Sequence, residues 1–383
     1  MKASRDSKKH IKISFKKNLL CILVLARFLL IIRVTMVKFL KILILSTLIF
    51  SCAGPATQRL NIDNDALDAE TKLQQTLALQ KIKERYERLQ RVGYPILKNS
   101  SDLCDNTVNS IGVMFNAYVA TDKYSEIEKE VYGIDEKGIK VTYVIPSSAA
   151  FKSGLRKNDE ILKINNLEVS SDREKFHKGL EKFRNKSETL KVEFLRDGVS
   201  KSVSFDPDLI CNYPILLVQN DSVNAFANGS QIGITTGMIR FAQRDEDLGL
   251  VIAHELGHNM MGHISKLRTN SLLGTIVDLA AAYYGVNTQG VFGQTGARMY
   301  SQEFEAEADY VGIYYLERAG YSTENVANFW RDMAVEHPGS INQSHTSTHP
   351  ATPERFLEIN AAIKEIEEKK KSNQQLIPNT VAD

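Results

Sequence analysis

The sequence predicts an α+β protein in which a mainly helical domain is interrupted by a smaller insert of short strands and one helix. Three observations carry this. Apolar residues recur at helical spacing over about 65–92, through Val251–His258, and again from Thr352 onward. Residues 128–208 instead alternate short strand patterns with turn residues. Cys104 and Cys211 flank that insert. At 383 residues, 43% hydrophobic and 25% charged, the chain has an ordinary globular composition and room for two or three domains.

Residues 1–51 read as targeting sequence. They hold eleven Lys or Arg against one Asp, so the rest of the chain carries about −8 within a net charge of +2. A mildly acidic body argues against nucleic acid as a partner. Met36–Lys41 is basic, Ile42–Phe50 is apolar and Ser51-Cys52 is small, the three parts of a secretory signal. Ile49-Phe50-Ser51-Cys52 resembles a bacterial lipobox, although Phe50 is bulky for its position. On that reading the true start is Met36 and Cys52 is the lipidated first residue of the mature chain. Ala53 follows with no Asp retention signal, which points to a lipoprotein of the outer membrane facing the periplasm. Leu19–Ile32 is broken by Arg27 and short for a bilayer span; a transmembrane anchor is the alternative reading of the leader.

After a polar linker (52–64), a helix is expected from about Asp65 to Val92. Leu79, Ile82, Tyr86 and Leu89 stripe it, and Gly93 and Pro95 stop it. It serves either as a spacer or as the first helix of the main domain, whose first part is 65–127. In the insert (128–208), Lys140–Pro146 reads as a strand, Asp172–Arg184 as a helix, and Thr189–Leu195 and Val199–Phe205 as a hairpin across Asp197-Gly198. Val144-Ile145-Pro146, Ser153-Gly154-Leu155 and Asn158-Asp159-Glu160-Ile161-Leu162-Lys163-Ile164-Asn165 resemble a PDZ domain. The resemblance implies capture of peptide termini by strand addition, with the carboxylate-binding loop near Tyr132-Gly133-Ile134. In an exported protein, Cys104 and Cys211 are expected to form a disulfide at the base of the insert; two buried thiols are the alternative.

The main domain resumes at 209–370. Val251-Ile252-Ala253-His254-Glu255-Leu256-Gly257-His258 contains H-E-x-x-H within a helix-compatible run. Histidines at i and i+4 share one helix face and can converge on a single zinc ion. Glu255 sits where a carboxylate reaches a water at the metal's open position and takes its proton. A three-His version of the pattern needs a histidine at 264; Ile264 stands there, with His263 one residue early. The third ligand is therefore sought on Ser301–Gly312. On a helix Ser301, Glu305, Ala308, Asp309 and Gly312 share a face, which selects Glu305 and reads Glu303 and Glu307 as solvated. Asp309, one turn on, can hold the outer ring nitrogen of a ligand histidine.

These motifs resemble the gluzincin peptidases that include the CAAX prenyl protease, the heat-shock membrane protease and periplasmic relatives. Asn224-Ala225-Phe226-Ala227 and Ile232–Gly237 resemble the family's substrate strand and its turn into the active-site helix. Ser347-Thr348-His349-Pro350 and Arg355 resemble its downstream segment. Asn228-Gly229-Ser230 departs from the Pro-Gly-Gly-like turn common in relatives. The resemblance implies a zincin-type fold with a small edge sheet, and one zinc per chain on His254, His258 and Glu305. It implies Glu255 as base, and Asp309 and Arg355 behind the ligands. His349 would be an oxyanion donor, a gating fourth ligand or a plain loop residue.

The apolar stretch Leu272–Val286, with Asp278 inside it, is too short to span a bilayer and reads as a core or site-edge helix, with a lipid-facing flap as the alternative. Thr352-Pro353-Glu354 opens a terminal helix striped by Phe356, Ile359, Ile363 and Ile366. A polar tail (371–383) follows and is expected to be disordered. The functional expectation is a zinc metalloendopeptidase of the bacterial envelope that degrades misfolded or unassembled envelope proteins. The alternative is a PDZ-bearing periplasmic chaperone or adaptor with little or regulated proteolysis.

Overall fold

The fold is described from a computed structural model, over residues 60–116, 125–133, 138–169, 173–283, 288–289, 301–336 and 353–380, with isolated positions 33, 36 and 57. Contacts divide the chain into residues 1–67 and 68–383, and the packing that builds the site lies within the second. Cys52 and His349 lie outside the described residues, as does the Ser347–Pro350 motif.

Helix α1 (Asn64–Asn99) runs through Gly93 and Pro95 instead of stopping there. Burial explains this. Leu89, Val92, Ile96 and Leu97 enter the main core, and the place of a Gly93 side chain is taken by Ile215, whose Cδ1 lies 2.2 Å from where a Cβ would sit. That packing outweighs the one hydrogen bond a proline removes. The first half of α1 is exposed, while its second half belongs to the main domain.

The chain then leaves the core along β1 (Thr107–Ser110) and returns along β8 (Asp208–Cys211), which pair antiparallel with Thr107 opposite Cys211. Between them lies the insert: β2 (Val113–Asn116), α2 (Ser125–Tyr132), β3 (Ile139–Val144), the short α3 (Ala149–Lys152), β4 (Glu160–Ile164), β5 (Leu167–Glu168), α4 (Arg173–Arg184), β6 (Leu190–Arg196) and β7 (Val199–Phe205). Its sheet has the order β2-β3-β4-β6-β7, with β5 on β4. Ile139, Val141, Ile161, Ile164, Leu190 and Phe194 form a core of its own. The sheet starts before the expected boundary at 128, because β2 pairs with β3. Four residues without polar–apolar alternation gave β2 no strand signal.

Cys104 and Cys211 are bonded at the stem, with Cα atoms 5.7 Å apart. Asp208 adds a polar link there. Its Oδ2 accepts from Tyr94 of α1 at 2.9 Å and from the Ala149 amide at 2.8 Å, and Lys98 pairs with Oδ1 at 2.5 Å.

The main domain continues with β9 (Ile215–Val218), β10 (Ala225–Ala227) and β11 (Ile232–Thr235) in the order β10-β11-β9, so β10 is an edge. Among the described residues there follow α5 (Thr236–Phe241), capped by Thr235, α6 (Asp245–Met260), α7 (His263–Tyr283), α8 (Ser301–Arg318) and α9 (Val326–Glu336). The terminal helix is α10 (Pro353–Lys371). Asp245, Glu246 and Asp247 fill the first turn of α6, where carboxylates oppose the helix dipole. Arg88 of α1 fixes that end: it donates to Asp245 and to the carbonyls of Ile239, Ala242, Gln243 and Arg244.

Two further expectations are corrected. Of the readings of the 272–286 stretch, the core helix is overturned: Leu272, Leu273, Ile276, Val277 and Leu279 of α7 are all exposed, although its apolar composition resembles a buried segment. Residues beyond α10 are not a free tail through 380. Leu376 packs against the main core, its carbonyl accepts from Arg318, and the Asn379 amide donates to Tyr310.

Candidate metal centre and peptide groove

The site is built where α6 and α8 cross. Thirteen residues of α6 are buried, so its histidines face the interior. The two helices approach closely because a Cβ on Gly257 would lie 3.0 Å from the Ala308 carbonyl oxygen, and one on Gly312 would lie 3.1 Å from the His254 amide nitrogen. Backbone atoms cannot yield as side chains do. Gly312→Val is therefore expected to cost about 1–3 kcal/mol by overpacking and to pull Glu305 away from the histidines. A melting curve and a zinc titration of the variant check this; unchanged values in both would sink the close-approach argument.

Across this contact His254, His258 and Glu305 converge, with potential donor atoms within 4.8 Å of one another. The two Nε2 atoms are 3.1 Å apart. Glu305 places Oε2 at 3.4 Å from His254 Nε2 and Oε1 at 3.2 Å from His258 Nε2. Donors each ~2.0–2.1 Å from one tetrahedral ion stand about 3.3–3.4 Å apart, close to the observed separations, in which Glu305 meets each histidine with a different oxygen. The ring orientations agree too: His254 Nδ1 lies 2.8 Å from Asp309 Oδ1, which turns Nε2 inward to the cluster. Asp309 is in turn gripped by Arg355, from Nε at 2.7 Å and Nη2 at 2.9 Å, while Nη1 lies 3.3 Å from Glu305.

The electrostatics follow from burial. Desolvation opposes charge on His254, but the Asp309 hydrogen bond and charge, and then those of Glu305, outweigh it and push the metal-free ring up to about 10. Asp309 is held below its ordinary value: burial raises it, and Arg355 and His254 more than reverse that. A metal ion would take over the role of this proton. Trp330 stands against both groups, with its ring 5.4 Å from His254 and 5.5 Å from the Arg355 guanidinium carbon.

Glu255 is 2% exposed on α6, between the two histidines in sequence. Beside the helix runs β10, where Ala225 is buried and Phe226 is 41% exposed; as an edge strand it offers one free ladder. The Asn228-Gly229-Ser230 turn docks on the end of α6. Asn228 Oδ1 accepts from the Ser230 and Gln231 amides, and Asn259 Oδ1 accepts from the Gly229 amide at 2.8 Å. The departure in sequence thus retains an anchored turn.

Glu303 is exposed, as expected. Glu307 is not simply solvated: its Oε2 lies 2.7 Å from Nε2 of the fully buried His263. The presence of that histidine was visible in the sequence, but its contact with α8 was not.

In the insert, β2 is the edge strand beside α4, with Phe115 set edge-on to Phe176 at 5.1 Å. A groove of about 320 Å³ there is lined by Gly112, Phe115 and Leu180 of the insert and by Tyr94, Tyr213 and Leu216 of the main domain. The loop leading into it is Ser110-Ile111-Gly112, where Gly112 has φ +71°. Tyr132, by contrast, ends α2, so the expected loop near Tyr132-Gly133 does not border the groove; Ile134 lies outside the described residues.

A helix-borne His-Glu-x-x-His with a carboxylate from a second helix defines the metallopeptidase class of site. The sequence profile of peptidase family M48 matches residues 190–363, and that of the PDZ domain matches residues 110–206. The 190–363 segment is thus similar to peptidase family M48, and the insert is similar to a PDZ domain. The chain is 28% identical over 145 residues to the mitochondrial metalloendopeptidase OMA1 of Saccharomyces cerevisiae, covering 35% of this chain and 42% of that one. To the metalloprotease LoiP of Escherichia coli it is 30% identical, covering 39% and 61%. To the beta-barrel assembly-enhancing protease of Escherichia coli it is 24% identical, covering 45% and 36%. The chain thus spans less than two thirds of the curated relatives it matches. The HtrA3 PDZ domain bound to a phage-derived ligand is 19% identical, at a TM-score of 0.22, over 27% of this chain and 89% of that one. Among the described residues, no helix is long and apolar enough to cross a membrane.

Proposed function

We propose that this chain is a zinc-dependent endopeptidase of the bacterial envelope, held to the outer membrane by lipid at Cys52, that degrades misfolded or unassembled envelope proteins. The observation that carries the enzymatic reading is the convergence of His254, His258 and Glu305 at separations close to those around one tetrahedral ion, with Glu255 on the same helix. Zinc, when bound, polarises the scissile carbonyl and acidifies the attacking water. Glu255 accepts that water's proton and returns it to the leaving amine. Asn224–Ala227 receives the substrate as an added strand, which presents the scissile bond along α6. The insert holds a peptide terminus in the groove between β2 and α4. The far wall of that groove reaches Leu216 on β9, in the same sheet as the substrate edge.

Metal analysis combined with casein digestion tests the reading. One zinc per chain is expected, with cleavage abolished by chelation and restored by zinc. His254→Ala, His258→Ala and Glu305→Ala should each lose the metal, while Glu303→Ala keeps it. Full zinc in the Glu305 variant removes that residue from the ligand set. A zinc-loaded chain that holds unfolded protein without cutting it establishes the chaperone alternative instead.

A further inference from the structure

The ligand reading raises one question about the second histidine, because its outer ring nitrogen meets another imidazole. His258 Nδ1 lies 2.9 Å from Nδ1 of His263, whose Nε2 lies 2.7 Å from Glu307 Oε2. His263 is 0% exposed and stacks on Phe304, with ring centroids 4.5 Å apart and planes at 16°. We propose that Glu307 and His263 form a relay that fixes the tautomer and ring orientation of His258, making His263 a positioning residue for the metal centre.

Proton placement follows from the chain of contacts. Two ring nitrogens at hydrogen-bond distance share one proton between them, so one donates and the other accepts. His258 needs its Nε2 lone pair for the metal, so its proton sits on Nδ1 and is donated to His263. His263 Nδ1 must then be bare, which puts its own proton on Nε2, aimed at the Glu307 carboxylate. Read from Glu307 inward, each hydrogen has one consistent place. The two ligand histidines are thus supported differently. His254 leans on the buried Asp309–Arg355 pair, whereas His258 leans on an imidazole whose carboxylate side chain is 44% exposed. A histidine kept only for packing against Phe304 would have no need to present Nδ1 to a ligand.

The proposal rests on His258 being a ligand, and zinc affinity measured by chelator competition on the whole chain separates the two claims. His263→Phe keeps an aromatic ring against Phe304 but removes both nitrogens, and it should weaken zinc by about 10–100-fold. His263→Asn places Oδ1 where Nδ1 was and should recover most of that loss, because the acceptor for His258 is restored. Glu307→Ala, a change at a partly exposed side chain, should weaken zinc several-fold where Glu303→Ala does not. Cobalt substituted for zinc gives a second readout: its visible spectrum should shift in His263→Phe and return towards wild type in His263→Asn. Wild-type affinity in His263→Phe would overturn the relay, as would equal losses in folded Phe and Asn variants. If His263→Phe does not fold, an unchanged affinity in Glu307→Ala overturns it. Absence of zinc from the wild-type chain would instead overturn the ligand reading itself.

Discussion

Glu255→Gln is expected to retain one zinc per chain while kcat for peptide cleavage falls by roughly 10²–10⁴-fold, the usual contribution of a positioned general base. Glutamine has the same shape and fits the same buried place on α6, where Glu255 is 2% exposed, so the fold and the three ligands stay put. What is lost is the ability to take a proton from water. KM should change little, because the places proposed for substrate, the β10 edge and the groove between β2 and α4, do not include residue 255. Zinc content and steady-state kinetics on the same preparation decide the matter. Near-normal kcat at full zinc would assign proton transfer to another group; loss of zinc would assign Glu255 a structural role.

Removing the stem disulfide should produce the largest change in stability. Cys104 and Cys211 close a 107-residue separation, and a loop of that size is worth about 4–5 kcal/mol in the chain-entropy model. For a chain of this length the expected fall in Tm is on the order of 10 °C. The double Cys→Ser variant, compared with wild type under non-reducing conditions, gives the measurement. The insert has its own core, and if it stays folded when the main domain melts, the effective loop is shorter and the loss smaller. Calorimetry distinguishes these cases by one transition or two. Identical Tm values for bridged and unbridged protein would show that the β1–β8 pairing holds the stem unaided.

The parts of the site that the sequence made legible are those whose spacing is local. His254 and His258 are a helical turn apart, and Glu305 and Asp309 are likewise i and i+4, so helix periodicity alone put each pair on one face. The small Ala308 and Gly312 on that face of α8 signalled a close approach, whereas the matching clearance at Gly257 on α6 shows only in the structure. The strands of the insert could be read where Asp197-Gly198 or alternating apolar residues marked them. What stayed hidden depends on distant partners. Pro95 sits inside a helix because Val92, Ile96 and Leu97 are buried by residues more than a hundred positions later. The His263–Glu307 contact spans 44 positions between two helices, and neither residue carries a local sign of the other. The fold-back after α10 is held by Leu376 on the core and by hydrogen bonds with Arg318, Tyr310, Lys369 and Glu365, which leave no periodic trace.

The stem has a consequence for how such a protein can change over generations. The insert enters and leaves through two neighbouring strands, and among the described residues the main core contains none from 113 to 205. A recognition module attached in this way is a graft. It can be exchanged, lost or duplicated at one clasped junction while the crossing of α6 and α8 stays untouched. On the proposed function, choice of peptide and chemistry of cleavage are therefore heritable separately, and selection can retune the first without putting the second at risk.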